Sequence, residues 1–321
     1  MTPFSLEALA IDPEATAARL SDSLRRTVQR FRRRGIVVAV SGGVDSACVA
    51  ALAARALGPE RVQALLLPER ESSPESTALA TTLCERLGIA HALQDIGPVL
   101  EAVGCYRERD AALRTVFPGY EPGMRWKMVL GGDRLGAGTI SFFSVIVELP
   151  GGGTRSFRLL PDAYLRILAA TNYKQRTRKM IEYFHADRLH YAVAGTPNRL
   201  EYDQGFFVKL GDGAADVKPI ASLYKTQVYA LARHLGVPAE ILDRPPTTDT
   251  SSLPQSQEEF FFSVDHRTLD LLLWARDHDV PAQEASLVVG LAPEMVRRAY
   301  ADIDEKRRAA EYLHAAPLVL R

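Results

Sequence analysis

The chain has 321 residues, 47% of them hydrophobic and 24% charged, and its 39 Lys and Arg balance 39 Asp and Glu to a formal net charge of +0. That composition excludes wholesale disorder, and the balance excludes an overall polycation that would grip nucleic acid or anionic lipid. Three widely spaced cysteines without a CxxC (Cys48, Cys84, Cys105) exclude a disulfide framework and a zinc knuckle and fit a reducing compartment. No apolar run reaches the roughly 18 residues that span a bilayer, and no basic-then-apolar leader opens the chain. A cytoplasmic protein with no nucleic-acid and no membrane partner is expected.

The spacing of Ala17, Leu20, Leu24, Val28 and Phe31 predicts a helix over 14–34. Arginines 25, 26, 30 and 32–34 crowd its last turns and read as a solvated face that complements the macrodipole. Gly35 should break it before IVVAV (36–40), a strand buried on both faces. SGGVDS (41–46) leads into an alanine-rich helix over 47–57, stopped by Gly58-Pro59. A strand over 62–67, a helix from Ser73-Pro74 to Leu87 closed by Gly88, a strand over 90–95 and a helix over 97–103 follow. This alternation predicts an α/β fold, a doubly wound parallel sheet with flanking helices.

Order is harder to read from Cys105 to Pro161, where an insertion over about 107–160 carries a β-hairpin, 139–149 with 154–160, turning through PGGG (150–153). A helix over 162–184, a strand over 191–196 and a helix over 222–235 come next. A Pro/Ser/Thr-rich mobile loop covers 244–259. Helices at 265–278, 282–289 and 293–314 form a C-terminal segment over 263–315, and the whole of 1–321 reads as one domain.

The chemistry concentrates at SGGVDS, between strand and helix. Gly42 and Gly43 let the backbone turn and bring its N–H groups to a ligand, the helix start adds partial positive charge, and the Ser41 and Ser46 hydroxyls donate. No GxxxxGK[ST] is present, so the loop is not of the Walker type. An acid inside a phosphate cradle repels the ligand unless a cation intervenes, which assigns Asp45 to Mg²⁺. Glu201 follows a strand end at the carboxyl edge of the sheet, where doubly wound folds bind ligands, and completes a Mg²⁺ pair with Asp45. Thr196 at that strand end is placed to hydrogen-bond a nucleotide, and Lys225 to neutralise pyrophosphate charge. Arg176 and Arg178 are contacts for a carboxylate or a phosphate, or solvent-facing helix charges. Cys48 reads as a small core filler, and no histidines pair at metal spacing.

Strand–SGGxDS–helix resembles the signature of the N-type ATP pyrophosphatases, or PP-loop superfamily, which implies an adenine nucleotide alpha hydrolase-like fold, ATP as a ligand and cleavage between its α- and β-phosphates. The stretch 195–228 is similar to that of ammonia-dependent NAD synthetases, with Thr196, Glu201, Gly205, Lys209, Gly211, Asp212, Gly213, Asp216, Pro219, Lys225 and Gln227 on their motif positions. Asn172, Arg176 and Arg178 fit their NxxARxRM helix, PPTTDTSSLPQSQEE (245–259) resembles their catalytic loop, and EKRR (305–308) their basic tail. The resemblance implies adenylation of a carboxylate, most readily that of deamido-NAD, then attack by ammonia. It implies Asp212, Lys225, Thr247 and Asp249 as catalytic, Arg178 as an ATP contact, and Arg176, Lys209, Asp212, Asp216 and Lys306 as substrate contacts, in a homodimer. Departures from the family pattern are Gln175, Lys179, Glu305, Arg244 and the insertion, so a different carboxylic acid stays open as substrate. No glutaminase motif is read, so free ammonia or a separate glutaminase supplies the nitrogen. A sulfur-transferring enzyme and a non-catalytic nucleotide regulator are the competing classes.

Overall fold

The structure, a computed structural model, describes residues 4–131, 142–245, 251–254, 261 and 264–320. Helix α1 (Pro13–Arg30) starts at Asp12, whose side chain accepts the Ala15 N–H, and turns Ala17, Leu20, Leu24 and Val28 inward. It stops short of the expected Arg34 because Phe31 closes its last turn and Arg32 takes a left-handed φ of 54°. Gly35 is needed for close approach instead: a Cβ there would lie 2.3 Å from the Arg61 carbonyl oxygen.

The expected alternation follows as β1 (Ile36–Ala39), α2 (Val44–Leu57), β2 (Val62–Leu66), α3 (Pro74–Leu87), β3 (Ala90–Leu93) and α4 (Gly97–Ala102). After the inserted elements come α6 (Pro161–Leu189), β7 (Ala192–Ala194), α7 (Arg199–Gln204), α8 (Lys225–His234) and α9 (Ala239–Leu242). The parallel sheet has the order β3-β2-β1-β7, with Ile36 aligned to Val62 on one side and Ala192 on the other. Ile36 and Val38 pack under α1, α2 and α8, while Val37 and Val193 pack on the opposite face with residues of α4 and α6. Alternate side chains are thus buried on both faces, which is why the strands read as unbroken apolar runs. The chain runs outward from β1 through β2 to β3, then returns to β7 on the other side of β1. The crevice at the carboxyl ends of β1 and β7 is therefore the switch point where such sheets bind ligands.

The segment expected as an insertion, 107–160, is richer than a hairpin. Before its sheet stands a helix, α5 (Cys105–Val116), that the apolar pattern hides because Arg109 and Asp110 are buried in it. Its sheet has three antiparallel strands, β4 (Trp126–Gly131), β5 (Phe142–Glu148) and β6 (Thr154–Arg158), in that order. The expected hairpin is β5–β6, with Val145 opposite Phe157 and positive φ at Gly151, Gly152 and Gly153 in the turn. Trp126, Met128, Val145 and Val147 bury one face of this sheet on Ala112, Leu113, Ala163 and Ile167. Helices α10 (His266–Asp277), α11 (Ala282–Val289) and α12 (Pro293–His314) close a separate apolar cluster with Phe4 and Leu9. Among the described residues no helix is long and apolar enough to cross a membrane.

Candidate active site

A cavity of about 770 Å³ opens at the switch point, a size in the range of small-molecule sites. Ser41, Gly43, Asp45 and Ser46 line it. Helix α2 begins at Val44, earlier than expected, so Asp45 and Ser46 stand in its first turn. The Ser46 hydroxyl accepts the Ser41 N–H at 3.1 Å and donates to the Gly43 carbonyl at 3.0 Å, which ties the loop into a fixed hollow. Gly42 supplies the turn: its φ is 80°, and a Cβ would meet the Ser76 carbonyl oxygen at 2.4 Å.

The starts of two helices converge on Asp45. The Lys225 ammonium, at the start of α8, forms an ion pair with its Oδ2, and Asn198 Nδ2 donates to its Oδ1 at 3.0 Å. Asn198 also closes a capping box on α7: its Oδ1 accepts the Glu201 N–H at 3.1 Å, and Glu201 Oε2 accepts the Asn198 N–H at 3.2 Å. Lys225 is buried, which alone would lower its pKa, but Asp45 and then Glu201 outweigh that and hold the ammonium above its ordinary value. From α10, Asp270 accepts the Lys225 N–H at 3.2 Å and the Thr226 N–H at 2.7 Å, so it anchors the helix end that carries the lysine. Asp45 and Glu201 are two carboxylates on one cavity, and among the described residues no group of three metal-binding side chains occurs. Two carboxylates completed by phosphate oxygens and water are the usual surroundings of Mg²⁺, so this donor set fits that ion.

Thr196, Arg176, Arg178, Lys209 and Asp212 line the same cavity. Arg178 Nε donates to the Leu67 carbonyl at 3.2 Å, Arg176 Nε to the Lys209 carbonyl at 3.3 Å, and Lys209 Nζ to the Tyr312 carbonyl at 2.6 Å. Asp212 accepts the Val208 N–H at 2.8 Å, and burial pushes its carboxyl up. Beside it lies a buried pair at a family departure, Lys179 with Glu182 at 2.7 Å, where burial raises the Glu182 carboxyl despite its partner. Arg244 Nη1 donates to Ser76 Oγ at 2.8 Å on the cavity rim.

Two expected substrate contacts are elsewhere. Asp216 is absent from the cavity wall because its carboxylate accepts the Val193 N–H at 2.8 Å and so braces the middle of β7. Lys306 is held inside the C-terminal helices by the Phe261 carbonyl and the Asp302 carboxylate, both at 2.9 Å. Thr247 and Asp249 lie outside the described residues. Asn198 and Asp270 escaped the sequence reading. The first was legible as the N-cap of an N-x-x-E box, the second as the one acid in the apolar run LDLLLW. All three cysteines are buried, and burial pushes Cys84 up to about 12 and Cys105 to about 11 and raises Cys48 further, which leaves little thiolate for sulfur transfer.

Comparison with known proteins gives the family. The NAD synthase family model matches residues 16–116 and 156–311, leaving out most of the inserted sheet. The NH(3)-dependent NAD(+) synthetase of Mesorhizobium japonicum is 53% identical over 312 residues, covering 97% of this chain and 98% of that one. In fold, the chain resembles the NMN synthetase of Francisella tularensis, with a TM-score of 0.65 and 23% identity over 97% of this chain and 99% of that one. It equally resembles the NH3-dependent NAD synthetase of Campylobacter jejuni, with a TM-score of 0.64 and 22% identity over 97% and 100%. A family match over most of the chain, joined to a near full-length relative at 53% identity, places this protein in the NAD synthase family.

Proposed function

We propose that this chain is an ammonia-dependent ligase that converts deamido-NAD to NAD with ATP. The observation that carries the reading is the junction of Asp45, Lys225 and Glu201 at the switch point, in a chain whose near full-length relative bears that activity in its name. In the first step the substrate carboxylate attacks the α-phosphorus, the bond to the bridging oxygen breaks, and pyrophosphate leaves. The backbone hollow at 41–46 holds the phosphates, with Thr196 and Arg178 as further nucleotide contacts. Lys225 faces the charge that grows on the departing pyrophosphate, a position worth most when water is excluded. Asp45 and Glu201 would hold a Mg²⁺ ion, which would supply further neutralisation of that charge.

In the second step ammonia attacks the acyl carbon and AMP leaves with its electron pair. Only neutral ammonia is nucleophilic, so a carboxylate must hold ammonium and take a proton. Asp212 serves this role, since it faces the cavity among Lys179 and Arg178. Arg176 and Lys209 contact the acid substrate at the rim, and the segment 244–259 contributes Thr247 and Asp249. The chain acts as a homodimer: Leu165, Tyr173, Met180 and Phe184 leave an exposed apolar stripe along α6 that a second copy covers. The nitrogen comes from free ammonia or a separate glutaminase.

The test is a panel of carboxylic acids that includes deamido-NAD, assayed with ATP, Mg²⁺ and ammonium. AMP, pyrophosphate and amide should appear together, with deamido-NAD far ahead of the other acids. Formation of ADP and phosphate, or preference for another acid, overturns the reading.

A further inference from the structure

We infer that the inserted sheet is a positioning device for the reaction: the outer edge of β4, at Trp126, holds residues 251–253 on the cavity rim, and the Ser252 hydroxyl sets that contact. The inference rests on the function proposed above, since 251–253 lie within the segment assigned to bring Thr247 and Asp249 to the substrate.

β4 is an edge strand of its sheet. Arg125 turns its carbonyl toward β5 and accepts the Glu148 N–H at 2.8 Å, so the neighbouring Trp126 turns its own backbone groups outward. Such an edge is a template for another segment of chain. Here the template is filled. The Trp126 N–H donates to Ser252 Oγ at 2.8 Å, and the Trp126 carbonyl accepts the Leu253 N–H at 3.0 Å. Arg125 Nε donates to the Ser252 carbonyl at 3.2 Å. The contact is made at both ends of one peptide edge, which fixes the register of 251–253 as a two-point clamp does.

Trp126 is itself pinned from the opposite side. Its indole Nε1 donates to Glu71 Oε1 at 3.1 Å, and Glu71 also takes Arg109 at 2.8 Å and Lys174 at 2.5 Å. Those partners come from α5 and α6, and Glu71 sits in the loop after β2, beside the cavity-lining Leu67, Pro68 and Ser72. Trp126 and Ser251 line the cavity as well. One residue therefore joins the β2 loop, the cavity wall and the segment 251–253. The family match skips 117–155, so Trp126 lies outside the matched residues while Glu71, Arg109, Lys174 and Ser252 lie within them.

A segment placed in this way governs two outcomes of the acyl-adenylate. Held in place, it favours attack by ammonia on the acyl carbon. Loosened, it admits water, which attacks the same carbon, releases AMP and restores the carboxylate, so that ATP and water become AMP and pyrophosphate with no amide. Misplacement of catalytic groups by about an ångström costs up to about a hundredfold in rate, and loss of one anchoring hydroxyl should cost about tenfold.

The full-length chain and its Ser252→Ala and Ser252→Thr variants are assayed for amide and pyrophosphate in parallel with deamido-NAD, ATP, Mg²⁺ and ammonium. Hydrogen exchange of peptides covering 125–131 and 251–254 is followed on the same samples. In Ser252→Ala, kcat should fall about tenfold with a smaller change in the KM for ATP, the ratio of amide to pyrophosphate should drop, and both peptides should exchange faster. Ser252→Thr, which keeps the hydroxyl, should restore all three. Unchanged exchange and an unchanged product ratio in Ser252→Ala overturn the inference, as does a threonine variant no better than alanine. If the unaltered chain makes no pyrophosphate with deamido-NAD, the proposed function fails, and the exchange comparison still decides whether Ser252 anchors the segment.

Discussion

At Lys225 the fold has buried an ammonium and given its charge to Asp45 and Glu201, while the helix start that carries it is held by Asp270. Asp270 is enclosed among leucines of α10, and burial pushes its carboxyl from the ordinary 3.8 up to about 6. Between those values the folded chain keeps a proton that the unfolded chain releases. Stability is therefore greatest below the lower value and falls as pH rises through the upper one. Asp270→Asn should flatten the dependence of unfolding free energy on pH across that window by up to about 1.4 kcal/mol per pH unit, as read by urea melts at closely spaced pH values. A slope equal to that of the unaltered chain would put the proton elsewhere. Asp45 was singled out by the phosphate loop and Glu201 and Lys225 by their strand-end and helix positions together with the family resemblance, and the structure brings all three to one cavity. Asp270 stands out as the acid in LDLLLW, but that run does not say what the acid is for, because its task is to hold backbone N–H groups of another helix.

Elements built on apolar periodicity were legible to within a few residues, as with α3, whose Pro74 start and Gly88 stop are both written in the sequence. α5 was hidden for a physical reason: its buried face carries charge. Lys174 of α6 lies between Glu69 at 2.8 Å and Glu71 at 2.5 Å, the Tyr106 hydroxyl donates to Glu69 at 2.8 Å, and Arg109 meets Glu71. This cluster fastens α5 and α6 to the loop after β2. A buried ion network need not add net stability over an apolar one, yet removing a single partner strands the rest. Lys174→Ala leaves Glu69 with the Tyr106 hydroxyl as its side-chain donor, and should cost about 3–5 kcal/mol in chemical denaturation. Adding Glu69→Gln should recover part of that loss. A single substitution that costs under about 1 kcal/mol would mean that the cluster is solvated in solution.

At the scale of the molecule, α6 carries two duties on adjoining faces. Thr171, Gln175, Arg178, Lys179 and Glu182 turn toward the cavity, while Leu165, Tyr173, Met180 and Phe184 are exposed. At 3.6 residues per turn the exposed four fall within about 100° of arc, beside the cavity face. Single exposed apolar side chains are ordinary, but a stripe along one helix calls for a cover. The sequence could not separate this stripe from core, because periodicity marks burial without saying what does the burying. In a two-fold dimer each substitution enters the interface twice, so Phe184→Glu should place two carboxylates in apolar contact and split the pair. Sedimentation should then move from twice the 35.3 kDa chain mass to one. Because the stripe borders the cavity, the KM for the acid substrate should rise in the monomeric variant. A Phe184→Glu chain that sediments like the unaltered protein would remove α6 as the interface, and a monomer with unchanged KM would show that the substrate pocket is complete within one chain.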